Sequence, residues 1–340
     1  MMQQHPLRLA CLGLILVLSA CGGGGGGGTG GGGTVTPPVE TVSCPVARVV
    51  ASDADLVPGP VARGVIGDLV IENTKLRAIV QKGRRNWYNI SQFGGNIIDA
   101  LPKNAAGQLI GLDHYEEAAL GTNVESSPNY QTVVVLDAGG VDAEGNCKPA
   151  IIRATGPDDL LDFVNGSSAI EDLGFSFPAS ADDVDLPITI STDYVLNPGA
   201  SYIEMRTNLI NDTADDQNIY LVEYANGSGQ VEGFQYGYGF GEPLVTAPCD
   251  SCRSLVYAGH DGAAGVSYGI IHDFAGTSSV SVSGVSVLVY GGDATALFVA
   301  GAEAVPPNFT VPGDGSLEVV RYFAVAAGGV SAIYLSLIHI

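Results

Sequence analysis

Between Tyr202 and Asn208 the side chains Ile203, Met205 and Thr207, continued by Leu209, alternate with Tyr202, Glu204, Arg206 and Asn208. Successive side chains of a strand point to opposite faces, so a period of two describes a strand with one apolar and one wet face. Related segments recur along the chain: DLVIEN, KLRAIVQ, YQTVVVLDAGG, PAIIRATG, PITISTDYVLN, QNIYLVEYAN, GVSYGIIHDF, SVSVSGVSVLVYG, TALFVAG and LEVVRYFAVA. Gly, Pro, Asn and Asp stand at the joins, and Asn73–Thr74 between the first two predicts a hairpin. Helical signals are confined to PDDLLDFV, with Pro157 placed at a first helical position, and to DHYEEAAL over 113–120; both predict short helices. The expectation is an all-β chain, a large antiparallel β-sandwich with one or two short helices.

The amino terminus carries export signals. Arg8 precedes the short apolar run Leu9–Leu18, and LSAC over Leu18–Cys21 reads as a lipobox. The run is too short to span a bilayer as a helix and reads as a lipoprotein signal peptide over residues 1–20, with Cys11 removed with it. Cys21 would then be the lipidated first residue and the anchor to a bacterial membrane. Glycine-rich sequence from Gly22 to Pro38 cannot bury apolar surface; it predicts a tether over 21–43 with a reach of roughly 20–25 Å. Gly22 rather than Asp after the lipidated Cys points, by the enterobacterial sorting rule, to the outer membrane. The folded domain is expected over 44–334. The last six residues, LSLIHI over Leu335–Ile340, match the translation of a transposase adapter used in sequencing libraries, so a native chain continuing beyond Tyr334 is expected.

A formal net charge of −22 makes nucleic acid and anionic membrane surfaces poor partners. The acidic clusters PDDLLDF, SADDVDLP and NDTADDQ are expected on solvated loops, and none has the spacing of an EF-hand calcium loop. Four cysteines remain after Cys21. CDSC, Cys249–Cys252, could be a disulfide, a redox pair or half of a zinc site. A thioredoxin-like motif needs a βαβ context, and a zinc site needs two further ligands where only His260 is near. A structural disulfide Cys249–Cys252 is therefore expected, with Cys44–Cys147 as the second by elimination.

GDLVIENTKLRAIVQ with FGGNIIDA resembles the first strands of galactose-mutarotase-like β-supersandwich domains. PAIIRATGPDDLLDFVN, GVSYGIIHDF and LEVVRYFAVAAGGVSAI continue the resemblance to the N-terminal β region of exported CehA/McbA-type PHP metallohydrolases, over roughly 45–334. It implies a metal-dependent hydrolase domain following this one. The His-x-His pair that opens such a metal site is absent: His5 lies in the signal and His339 in the adapter, leaving His114, His260 and His272. No metal, cofactor or catalytic residue is therefore assigned to this domain itself.

A mutarotase needs a carboxylate base facing a histidine acid. Glu223, Glu303 and Glu318 against His114, His260 and His272 are the available groups, and none sits in a matching motif. Binding is the stronger expectation. FQYGYGFG places Phe234, Tyr236, Tyr238 and Phe240 at period two; on one strand they would share a face and either fill the core or stack on sugar rings. KGRRNWYN sets Arg84 and Arg85 beside Trp87, the only tryptophan, and Tyr88. With Lys75, Arg77 and Lys82 this is a basic cluster in an acidic protein, either a solvated hairpin rim or a patch for an acidic glycan. Two functions remain: an accessory, carbohydrate-binding or enzyme-positioning domain of a surface hydrolase, or a non-enzymatic structural or adhesive surface lipoprotein.

Overall fold

The computed structural model describes residues 44–85, 92–161, 184–228, 231–241, 246–251, 253–259, 265–282, 285–298 and 307–337. Residues 1–43, with the signal, Cys21 and the tether, lie outside the described residues. So do Trp87, Tyr88, Cys252, His260 and Glu303.

The chain is all-β, with antiparallel pairing throughout the described sheets. The first sheet contains β1 (Val46–Val49), β2 (Leu69–Glu72), β3 (Leu76–Val80) and β4 (Ile97–Pro102), in that order. The expected hairpin at Asn73–Thr74 joins β2 to β3. The Asn73 carboxamide oxygen accepts from the amides of Lys75 and Leu76, a local turn that Asn favours, and its amide nitrogen donates to the Ala200 carbonyl at 2.8 Å.

Strands β5 (Tyr115–Gly121), β6 (Ser126–Pro128), β7 (Thr132–Asp137), β8 (Ala150–Leu160), β9 (Ile188–Leu196) and β10 (Tyr202–Asn211) follow. Next come β11 (Gln217–Ile219), β12 (Val222–Gly227), β13 (Val231–Gln235), β14 (Gly239–Phe240) and β15 (Ser254–Gly259). The last are β16 (Val266–His272), β17 (Ser278–Val282), β18 (Val285–Val289), β19 (Phe309–Val311) and β20 (Gly315–Ala327). The large sheet runs β14-β13-β15-β16-β20-β10-β9-β8-β6, with β7 also on β8; a smaller sheet runs β17-β18-β12-β5, and β11 pairs with β19.

The alternation that opens the sequence reading holds in β10: Ile203, Met205, Thr207 and Leu209 are buried while Arg206 on the opposite face is exposed. One apolar cluster joins residues of the first sheet (Ile71, Ile79), the smaller sheet (Tyr115, Leu288) and the large sheet (Ile190, Leu209, Phe323), so the three sheets share a core. A disulfide ties Cys44 to Cys147, a sequence separation of 103, fixing the start of β1 beside the loop before β8.

Neither expected helix forms over its described residues, and residues 162–164 of the second lie outside them. DHYEEAAL lies largely in β5 and PDDL ends β8. In β5 every residue but Glu116 is buried, Glu117 included at 1% exposure, so tertiary packing overrides the helix preference of Glu, Ala and Leu. In β8, Asp158 is buried rather than solvated: its carboxylate accepts from the Thr122 hydroxyl and from the Leu186 amide at 3.0 Å, and burial pushes it up to about 7. The described α-helices are α1 (Ala294–Phe298), which takes up the first four residues of the segment TALFVAG expected as a strand, and α2 (Val330–Leu337). Leu335–Leu337 therefore continue α2.

Candidate functional site: an aromatic groove at the sheet edge

The segment FQYGYGFG is not one strand. Strand β13 stops at Gln235, turns through Tyr236–Tyr238, and returns as β14, pairing Phe234 with Phe240. Gly237 and Gly239 adopt φ of +88° and +86°, values that side-chain-bearing residues resist, and so make the reversal. The four rings consequently do not all share one strand face: Phe234 packs against the small core cluster of Val256, Ile271, Ala324 and Ile333, while the other three turn outward. Tyr236, Tyr238 and Phe240 are 53%, 43% and 54% exposed, an apolar cluster of the kind that marks contact surfaces.

The register explains what lies beside this hairpin. Phe240, Phe234, Val256, Gly269 and Ala324 are directly opposite one another across β14, β13, β15, β16 and β20, and so form a row on one face. Helix α2 lies on that row. A Cβ at Gly269 would stand 2.5 Å from Ile333 Cγ2, so glycine is what lets the helix approach. The approach brings Tyr334 to the hairpin, its ring centroid 6.4 Å from Tyr236 and 6.3 Å from Phe234, both edge-on.

Tyr236 and Tyr334 thereby wall an open groove whose remaining lining is Asp250, Ser251, Arg253 and Ser254. The Ser254 and Tyr334 hydroxyls lie 2.9 Å apart, Arg253 forms an ion pair with Asp273, and one Asp250 oxygen accepts from the Gly276 amide at 3.1 Å. The Tyr238 hydroxyl accepts from the Ala247 amide at 3.0 Å, which anchors the hairpin tip. Asp250 and Ser251 belong to the CDSC turn. Cys249 is disulfide-bonded, while the expected bridge to Cys252 involves a residue outside the described set.

Three residues of the basic cluster have partners within the fold. Arg85 pairs with Asp68, which is 2% exposed, and donates to the Arg63 carbonyl at 2.9 Å. Arg77, Lys103 and Arg48 converge on Glu72 at 2.9, 2.6 and 2.6 Å. Those cations hold Glu72 down at about 2 against the upward push of burial. Arg84 lies over the Phe93 ring at 5.4 Å. Two of the five bases thus neutralise carboxylates of the fold, and the expected stacking partners Trp87 and Tyr88 lie outside the described residues.

Among the described residues, the acid–base groups that come together, Glu223 and His272, do so in the interior. Glu223 on β12 accepts from the Arg321 guanidinium and, at 3.1 Å, from the Tyr290 hydroxyl; Arg321 also donates to the Thr207 hydroxyl at 2.8 Å. His272 is opposite Arg321 in register, with its ring 4.8 Å from that of Tyr290. Burial, and after it the Arg253 and Arg321 charges, push His272 down to about 3, so it is neutral. Glu223, Arg321 and His272 are 1%, 2% and 2% exposed. The cavity beside Glu223 and Arg321, of about 10 Å³, has room for a water, not a sugar. His114 lies elsewhere, its ring nitrogen 3.2 Å from the Ser228 hydroxyl, and Glu318 is on the exposed face of β20. Among the described residues no His, Cys, Asp and Glu group is arranged to hold a metal ion.

No family model matches the chain, and no curated protein does. Among solved structures it is similar to an aldose 1-epimerase candidate from Klebsiella pneumoniae, at 9% identity and a TM-score of 0.45, covering 81% of this chain and 84% of that one. It is similar to a galactose mutarotase-like protein from Lactobacillus casei, at 12% identity and a TM-score of 0.41, covering 76% of this chain and 100% of that one. A Geobacillus stearothermophilus GH36 α-galactosidase matches at 10% identity and a TM-score of 0.41, over 79% of this chain and 42% of that one. The neighbours include the galactose-mutarotase-like class that the sequence resembles, and no ligand or activity follows from likeness at this level.

Proposed function

We propose that the chain is an exported, lipid-anchored carbohydrate-binding domain that holds glycan in the groove between Tyr236 and Tyr334. The observation that carries the reading is the set of exposed rings beside hydrogen-bonding groups from Asp250, Ser251, Arg253 and Ser254. Pyranose rings present apolar C–H faces and polar hydroxyl edges, and a site with an aromatic wall and a polar rim meets both. Glycan-array binding of the full mature chain tests this. Binding that is lost in Tyr236→Ala supports the groove, and absence of glycan binding refutes the reading.

In this proposal Cys21 carries lipid, the Gly22–Pro38 tether holds the domain off an outer membrane, and the native chain continues into a PHP-type metal-dependent hydrolase that the domain positions. Reading the native gene past codon 334 separates the two functional classes. A His-x-His pair followed by further His and Asp ligands supports the hydrolase. A stop codon within a few residues leaves a structural or adhesive surface lipoprotein.

A further inference from the structure

We infer that the Tyr236–Tyr334 groove takes a single uncharged pyranose unit, not the acidic glycan that the basic cluster suggests; this rests on the carbohydrate-binding reading above. Two observations carry it.

The first is charge. Arg253 is the cation of the groove lining, and its guanidinium is paired with Asp273. Asp250 adds a carboxylate, with one oxygen engaged by the Gly276 amide. These three side chains sum to an excess of one negative charge, which repels a uronate or sulfate. Hydroxyl groups, by contrast, can donate to the Asp250 carboxylate and exchange hydrogen bonds with Ser251 and Ser254.

The second is the angle between the rings. Tyr236 and Tyr334 are inclined at 63° with centroids 6.4 Å apart. Coplanar rings would support a flat polysaccharide surface. These two form a corner, in which one ring can stack on a sugar face while the other bounds its edge. The Tyr334 hydroxyl, 2.9 Å from Ser254 Oγ, closes the polar side of the corner. A corner of this size suits one ring of a soluble glycan.

The test is titration of the full mature chain with neutral, uronic-acid and sulfated oligosaccharides, each at about 50 and about 500 mM salt, where screening separates charge-driven from uncharged recognition. Neutral glycans are expected to bind, with affinity changing less than about twofold between the two salts. Tyr236→Ala should weaken them at least about tenfold, and Tyr236→Phe, which keeps the ring, should bind like the parent. Preferential binding of acidic glycans that fades at high salt would overturn the inference while leaving carbohydrate binding intact. Loss of binding in Tyr236→Phe as well as in Tyr236→Ala would overturn ring stacking. No binding to any glycan would refute the functional reading on which the inference stands.

Discussion

Replacing Glu223 by Ala should be among the most damaging single changes in the protein. Its partner Arg321 is 2% exposed and would keep only neutral partners, among them the Thr207 hydroxyl at 2.8 Å, with no carboxylate against its charge. Leaving one buried charge unpaired costs about 3–5 kcal/mol. Arg321→Ala should cost a similar amount, since Glu223 would then rely on the Tyr290 hydroxyl. The double variant Glu223→Leu/Arg321→Met removes both charges and keeps apolar volume, so it should recover to within about 1–2 kcal/mol of the parent. Arg206→Ala is the control: its pair with Glu204 leaves the Arg206 side chain 50% exposed, and breaking such a pair costs about 1 kcal/mol or less. Urea unfolding with a common slope measures all four. Single variants within about 1 kcal/mol of the parent, or a double variant as unstable as the sum of the singles, would refute the claim that this pair is a mutually dependent buried unit.

Three further outcomes are expected. Reduction of Cys44–Cys147, which closes a separation of 103 residues, should lower urea stability by up to about 4–5 kcal/mol; an unchanged midpoint after reduction confirmed by thiol titration would contradict this. His272 has a native value of about 3, below its ordinary 6.5, so its contribution is complete above pH 6.5 and is lost as pH falls toward 3. Relative to the parent, His272→Phe should therefore flatten the decline in stability over that window, and a parallel decline in the two proteins would show the imidazole is not responsible. Cys21→Ser should leave the membrane fraction after a salt wash, because the buried acyl methylenes contribute about 0.8 kcal/mol each to anchoring; retention of that variant on membranes would place the anchor elsewhere.

Strands with one wet face were the most legible feature of the sequence. In β10 every odd position from Ile203 to Leu209 is buried, as the alternation requires. The hairpin at Asn73 was readable from turn chemistry. Strand β5 was misread because, apart from Glu116, it is buried along its length: period two disappears and only Glu, Ala and Leu remain to suggest a helix. The aromatic segment was half legible. Its rings were visible, but their placement depended on positive φ at Gly237 and Gly239, which turn one apparent strand into a hairpin. Gly-x-Gly between aromatics was the available signal. Tyr334 was missed altogether, because nothing local shows that α2 would carry it back to β13. The same limit applies to Arg85, taken up by Asp68, and to Glu223 with Arg321, 98 residues apart. Charges in an acidic chain do not announce which of them the fold will neutralise internally.

Backbone hydrogen exchange of the full mature chain, with and without a saturating neutral oligosaccharide, tests the central claim most directly. The account predicts slowed exchange over the hairpin 234–241, over 250–254 and around Tyr334 in α2, where the groove lining lies. Slowing confined to the segment carrying Arg84, Arg85 and Trp87, with the hairpin and α2 unchanged, would contradict it.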